Sequence, residues 1–333
     1  MEVPILKFKC VILILSLTVL FTGCQKRSKD PYLSITVTTE ISETEMQISN
    51  YYYNIQSDKL EEAARVQYYS QYPLSVYDKQ NNVLYYSYRV VEENNQYGDQ
   101  LFCLDLETNE SKQLTSDIFA INNIIPANDV VYLLAAMKGS GALKPAIYDK
   151  KTGDLRVLNK DDNLNFDRIA YDFQNDTLFV SACNYDDLYK VLEESMLGKY
   201  LPPDYYIYYY SKGTDEPQQV IKTNRQLVHR MAIYPDGNLY YTLADGLPED
   251  YPNYNSYKYD LQKKDIKPEF SIDSRMFVSE ILYYYNDEIF FLGKDYDGQQ
   301  KRGIYSYHLK TGEFKLLYYT DKGYINNFSM LWE

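Results

Sequence analysis

The chain is poor in the residues that most often carry chemistry, with two His, one Trp and four Cys among 333 residues. So few His and Cys leave no zinc-ligand spacing, and no Gly-rich phosphate loop or nucleophile elbow occurs. Gly139-Ser-Gly141 lacks the neighbours that would make it either. A positive balance is missing too: 34 Lys and Arg stand against 47 Asp and Glu, a formal charge of −13. That excludes the basic stripe that displaces counterions from nucleic acid, so no nucleic-acid partner is expected. Long apolar runs are also absent. The most apolar stretch, residues 11–21, falls well short of the roughly 20 residues a spanning helix needs.

That short stretch has another use. Lys7 and Lys9 precede it and Phe21-Thr22-Gly23-Cys24 follows, which is the order of an export signal. The ending resembles the lipobox of bacterial lipoproteins. The resemblance implies a signal peptide over residues 1–23, lipidation of Cys24 and a tether over 24–32. It also implies a location at the cell membrane, lipid-anchored on the extracytoplasmic side. Losing residues 1–23 removes Lys7, Lys9 and Glu2 and leaves the rest one charge more negative. Lys26, Arg27 and Lys29 follow the lipid site, where each contact with an anionic headgroup contributes on the order of 1 kcal/mol. Cys10 leaves with the signal. Cys103 and Cys183 then remain, in predicted strands of non-adjacent repeats, and are expected as two buried free thiols rather than a bridge.

Tyrosine is what the chain has in excess, 39 residues beside 13 Phe. Tyr favours strands and buries its ring while its hydroxyl stays wet. The strands repeat. Asn82-Val-Leu-Tyr-Tyr, Asp129-Val-Val-Tyr-Leu, Asp176-Thr-Leu-Phe-Val, Gly237-Asn-Leu-Tyr-Tyr and Asp287-Glu-Ile-Phe-Phe each set a turn residue before an apolar strand. A second strand ends in a tight polar turn after each of them, as in Ile147-Tyr-Asp-Lys-Lys-Thr-Gly and Tyr305-Ser-Tyr-His-Leu-Lys-Thr-Gly. With one strand ahead and a short one behind, each repeat holds four antiparallel strands in about 47 residues, the size of a β-propeller blade. The repeats resemble TolB-type and WD40-like propellers, and Tyr234-Pro-Asp-Gly-Asn-Leu-Tyr-Tyr carries the Pro-Asp-Gly turn of the TolB type.

Residues 324–332 read as the first strand of a sixth blade, after which the chain stops. Residues 33–39 alternate with period two and 46–55 suit a partner strand, so N- and C-terminal strands are expected to share the closing blade. Residues 58–66 are expected as a short helix with Asp58 as its N-cap. The expectation is therefore an all-β propeller of about six four-stranded blades. Residues 33–72 complete the last blade and 73–333 carry the repeats. Five closed blades with a separate N-terminal element are the alternative.

No catalytic residue, metal site or cofactor is expected. In the repeat alignment His308 takes the position of Asp105, Asp149, Ser211 and Asp260, and His229 that of Asp167 and Ser279, so both read as structural. The pairs Glu92-Glu93, Asp186-Asp187 and Glu249-Asp250 permit an alternative, a carbohydrate-active lyase or glycosidase using loop carboxylates. The better clue is loop length. The loops joining second to third strands (89–100, 137–144, 184–204, 244–253 and 293–302) are long, whereas the turns on the opposite face are tight. Function concentrates in such loops. In 184–204, Leu188, Val191, Leu192, Met196 and Leu197 fall on one helical face, with Asp186 or Asp187 as the cap. Tyr97, Tyr185, Tyr189, Tyr200, Tyr251, Tyr254 and Tyr296 stand in these loops. They define the expected partner-binding face of a binding or scaffolding module whose partner is an envelope protein or glycan.

Overall fold

A computed structural model describes residues 30–43, 45–91, 97–161, 163–195, 201–246, 255–270, 276–295 and 301–332. It is a ring of six four-stranded antiparallel sheets. Blade 1 holds β4 (Ser75–Asp78), β5 (Val83–Val91), β6 (Tyr97–Asp105) and β7 (Ser111–Gln113). Blade 2 holds β8 (Ile118–Pro126), β9 (Val130–Met137), β10 (Leu143–Asp149) and β11 (Leu155–Val157). Blade 3 holds β12 (Leu164–Asp172), β13 (Thr177–Asn184), β14 (Tyr205–Tyr210) and β15 (Gln218–Lys222), with helix α1 (Tyr185–Ser195) between its second and third strands. Blade 4 holds β16 (Leu227–Ile233), β17 (Leu239–Ala244), β18 (Asn255–Asp260) and β19 (Asp265–Pro268). Blade 5 holds β20 (Met276–Tyr285), β21 (Glu288–Asp295), β22 (Arg302–His308) and β23 (Phe314–Tyr319). No described helix is long and apolar enough to cross a membrane.

Blade 6 is the expected composite. The C-terminal β24 (Tyr324–Trp332) is its first strand, followed by the N-terminal β1 (Pro31–Ser42), β2 (Glu45–Asn54) and β3 (Lys59–Gln67). β24 pairs with β1 from Pro31↔Trp332 to Thr38↔Tyr324, so the two ends of the chain close the ring side by side. Residues 31–38 are buried throughout, because β1 lies between two partner strands and under both neighbouring blades.

β3 corrects one expectation. Residues 58–66 are an edge strand rather than a helix. Asp58 sits at φ 54 in the β2–β3 turn and accepts bonds from Tyr53 and Lys315, and Lys59 to Gln67 pair with β2. Sheet pairing overrides a local helix preference that is only tenths of a kcal/mol per residue. The charges of Lys59, Glu61, Glu62 and Arg65 then protect an outer edge from further pairing.

Each of the six blade interfaces carries a polar latch that sequence reading missed. A side chain of one blade donates to a carbonyl of the next blade's first strand. Thr36 Oγ1 reaches Ser75 O (2.7 Å), Gln100 Nε2 reaches Ile118 O and Lys144 Nζ reaches Leu164 O (2.9 Å). Arg168 Nε reaches His229 O (2.9 Å), Arg230 Nε reaches Ser279 O (2.8 Å) and Arg302 Nη2 reaches Ile325 O (3.2 Å). Most of these acceptors lie beside bulges in the inner strands, at Phe166/Arg168, Val228/Arg230 and Val278/Leu282 among others. A bulge interrupts the ladder and turns a carbonyl outward, which gives the next donor a partner. Thr36, Gln100, Lys144 and Arg230 are buried, so each latch removes a polar group from water at no unpaired cost.

Cys183 is buried and Cys103 half-buried, both as free thiols, with burial pushing the first up to about 12 and the second to about 11.

Candidate functional site

The blades run so that the first-to-second and third-to-fourth turns open on one face. The second-to-third loops and the interblade connections open on the other. Both histidines fall where the repeat alignment puts them. His308 stands in the β22–β23 turn, where its Nδ1 accepts the backbone N–H of Lys310 and Thr311. Asp105, Asp149 and Asp260 use a carboxylate oxygen in the same way in their own blades. His229 is the bulge residue of β16 at the opposite end, flanked by Arg168 and Arg230. Burial first, and then the two guanidinium charges, push it down to about 2, so it is a neutral imidazole in the folded protein.

The ring axis holds two connected cavities. A channel of about 340 Å³ runs between the inner strands, from Asn122 and Asp167 at the long-loop end to Phe173 and Trp332 at the short-turn end. There it meets a wider cavity of about 790 Å³. Tyr171, Phe173, Tyr234 and Trp332 form much of the wall, with Asp78 and Asp172 at the strand ends. The axial carboxylates are all engaged. Asp167 pairs with Arg168 at 2.7 Å and Asp78 with Lys150 at 3.1 Å. Asp172 accepts the amide of Asn175 at 2.7 Å and the N–H of Gln174 at 2.9 Å. The cavity therefore opens on the short-turn face, opposite to where the loop lengths point. Among the described residues no group of three His, Cys, Asp or Glu lies close enough to hold a metal ion.

The long-loop face has a different character. Of the large apolar side chains left exposed, most stand here: Ile41 and Met46 at the β1–β2 turn, Tyr69 and Tyr72 before β4, and Val91 and Tyr97 at the β5–β6 loop. Phe119, Tyr189, Tyr319 and Tyr324 continue the series at strand and helix positions on the same side. Tyr97 and Phe119 lie 6.0 Å apart across the boundary of blades 1 and 2, and the Arg89 guanidinium covers Tyr97 at 5.0 Å. Lys301 and Arg302 likewise cover Tyr319 and Tyr324. Two of the second-to-third loops are acidic in sequence. Residues 39–46 hold Glu40, Glu43 and Glu45 without a cation, and 244–254 hold Asp245, Glu249 and Asp250 likewise.

The expected binding tyrosines divide. Tyr97 and Tyr189 are 49% and 55% exposed on this face, as a docking role requires. Tyr185 is half-buried: a side chain at Gly141 would meet its hydroxyl, so it packs α1 onto the β9–β10 loop. Tyr200, Tyr251, Tyr254 and Tyr296 lie outside the described residues, as does Cys24. Residues 185–195 form a helix within the expected stretch, and Leu188 and Val191 turn inward while Leu192 stays exposed; Met196 and Leu197 lie outside the described residues. Its cap is Asn184, whose Oδ1 accepts the N–H of Asp187 at 3.1 Å. Asp186 and Asp187 stand instead in the first turn, where their charge suits the positive end of the helix dipole. Phe119, Tyr324 and Ile41 escaped the sequence reading because they sit at strand ends rather than within long loops.

No protein-family profile and no curated protein matches this chain. Solved structures do. A puromycin-hydrolysing peptidase of Mycobacterium tuberculosis superposes with a TM-score of 0.54 at 9% identity, over 87% of this chain and 46% of that one. This chain thus spans about half the length of that peptidase. A chain of the nidogen/laminin complex superposes with a TM-score of 0.54 at 10% identity, over 90% of this chain and 98% of that one. At such identities the likeness carries the propeller fold alone.

Proposed function

We propose that this protein is a lipid-anchored, extracytoplasmic binding module that docks a protein on its long-loop face. The observation behind the reading is the segregation of exposed aromatic and aliphatic side chains onto that face, amid acidic segments. Scattered apolar residues are ordinary on a surface, whereas their concentration on one side marks an interaction site. The partner that fits is a protein presenting apolar side chains within a basic surface, because opposite charge steers encounter and suppresses wrong partners.

Anchoring rests on the lipobox resemblance at Cys24 and fits the geometry of blade 6. Pro31 starts β1 beside Trp332 on the short-turn face. Residues 24–30 reach on the order of 25 Å at full extension. A lipid at Cys24 would thus hold the short-turn face toward the bilayer and turn the long-loop face outward. The TolB-type turn at 234–237 is compatible with an envelope role. Of the two structural neighbours, one is a peptidase and one comes from a complex of two proteins, so the fold is compatible with either kind of role.

The test is capture from native membranes by the lipid-free chain. A specific partner should bind at least about tenfold more weakly to Tyr97→Ser/Phe119→Ser, a loss of about 1.4 kcal/mol. It should bind Glu107→Ala, altered on the other face, as well as it binds the parent protein, and should associate more slowly at high salt. Equal capture by all three proteins would reject this face.

A further inference from the structure

We infer that the axial cavity on the short-turn face is a second binding site, built for a neutral saccharide. Its volume of about 790 Å³ lies in the range of small-ligand pockets, roughly 300–1,000 Å³. No Arg, Lys or His is among the described residues lining it. A phosphate, sulfate or carboxylate entering it would face Asp78 and Asp172 and lose its hydration without gaining a cation.

An organic cation fits little better, because both carboxylates are already spent. Lys150 Nζ sits 3.1 Å from Asp78 Oδ2 and also bonds Ala127 O. Asp172 holds its own turn together through Gln174 and Asn175.

What the cavity offers is amides and aromatic faces. Gln80, Asn128, Gln174 and Asn286 come from the first turns of four different blades and converge on one mouth. A primary amide presents a donor and an acceptor side by side, the match for two vicinal hydroxyls. Trp332 and Phe173 lie 4.6 Å apart between them and form an apolar platform. The negative face of an aromatic ring attracts the C–H edges that a pyranose presents above and below its hydroxyls. Amides around an aromatic floor, with Asp78 paired to Lys150 and Asp172 bonded within its own turn, select a neutral polyhydroxylated ring over an anion.

The single tryptophan makes the site observable. The lipid-free chain from Gln25 to Glu333 would be titrated with neutral tetrasaccharides of glucose, galactose, mannose and N-acetylglucosamine. Trp332 fluorescence and calorimetry would be read in parallel. The expected result is saturable binding of at least one of them with a shift in Trp332 emission. Gln174→Ala and Asn128→Ala should each weaken that binding fivefold or more at an unchanged melting temperature. A sulfated oligosaccharide of the same length should not bind. The inference fails if none of the four binds, if both variants bind as the parent does, or if the sulfated oligosaccharide or choline binds more tightly. Such a failure leaves the long-loop docking face untouched, since that face carries none of these residues.

Discussion

Trp332 and Phe173 meet across the ring axis, their ring centroids 4.6 Å apart with planes at 42°. Trp332 ends β24 in blade 6 and Phe173 follows β12 in blade 3, so the contact joins opposite sides of the ring. It also links the closing strand to a blade from the middle of the chain. Trp332→Ala should lower stability by about 1–3 kcal/mol, less than for a fully buried Trp because the residue is half-exposed. Trp332→Phe should lose less than half of that. Calorimetric melting measures both. A chain truncated before Tyr324 should lose its cooperative transition, because β1 would then face the axis with no inner partner.

Arg230 is the largest fully buried side chain among the described residues, and its guanidinium serves both Val278 O and Ser279 O. Arg230→Met leaves both carbonyls unmet at the interface of blades 4 and 5 and should cost about 2–4 kcal/mol. Arg230→Lys should recover little of it, because a single ammonium cannot reproduce the planar fork. Chemical denaturation with an unchanged m-value would check this.

His229 predicts a pH dependence with a defined window. Its folded value near 2 lies below the ordinary 6.5, so the unfolded chain takes up the proton first. Its contribution to stability is complete above about pH 7 and is lost as the pH falls, by at most ~1.4 kcal/mol per unit below about 6.5. The carboxylates held low by their partners, such as Asp176 beside Tyr171 and Lys212, add an acid limb that begins about one unit above their ordinary value of 3.8. Between about pH 6 and 5 the slope should therefore vanish in His229→Gln, whatever that variant does to stability at pH 7. Denaturation midpoints over this interval measure it.

Much of the ring was legible in the sequence because period-two strands and tight turns repeat locally. The five turn-strand elements from Asn82 to Asp287 fixed blade size, and the unfinished strand at 324–332 pointed to the N-terminal partner at 33–39. β3 was misread because the preference of Leu60, Glu61 and Ala63 for helix is local, while the pairing of Lys59–Gln67 with β2 is not. The latches were invisible for the same reason: nothing in the neighbourhood of Gln100 or Lys144 shows that a carbonyl of the next blade waits for it. Loop length pointed to the face on which Tyr97 and Tyr189 stand exposed, but the axial cavity is a product of ring closure and leaves no contiguous trace.

The central claim, that the long-loop face docks a protein, is tested most directly by site-specific photo-crosslinking in intact membranes. A photoreactive side chain would replace Phe119 on the long-loop face and, separately, Glu107 on the short-turn face. The account predicts a discrete protein adduct from position 119 that diminishes at high salt, and none from position 107. An adduct from position 107 with none from 119 would contradict it.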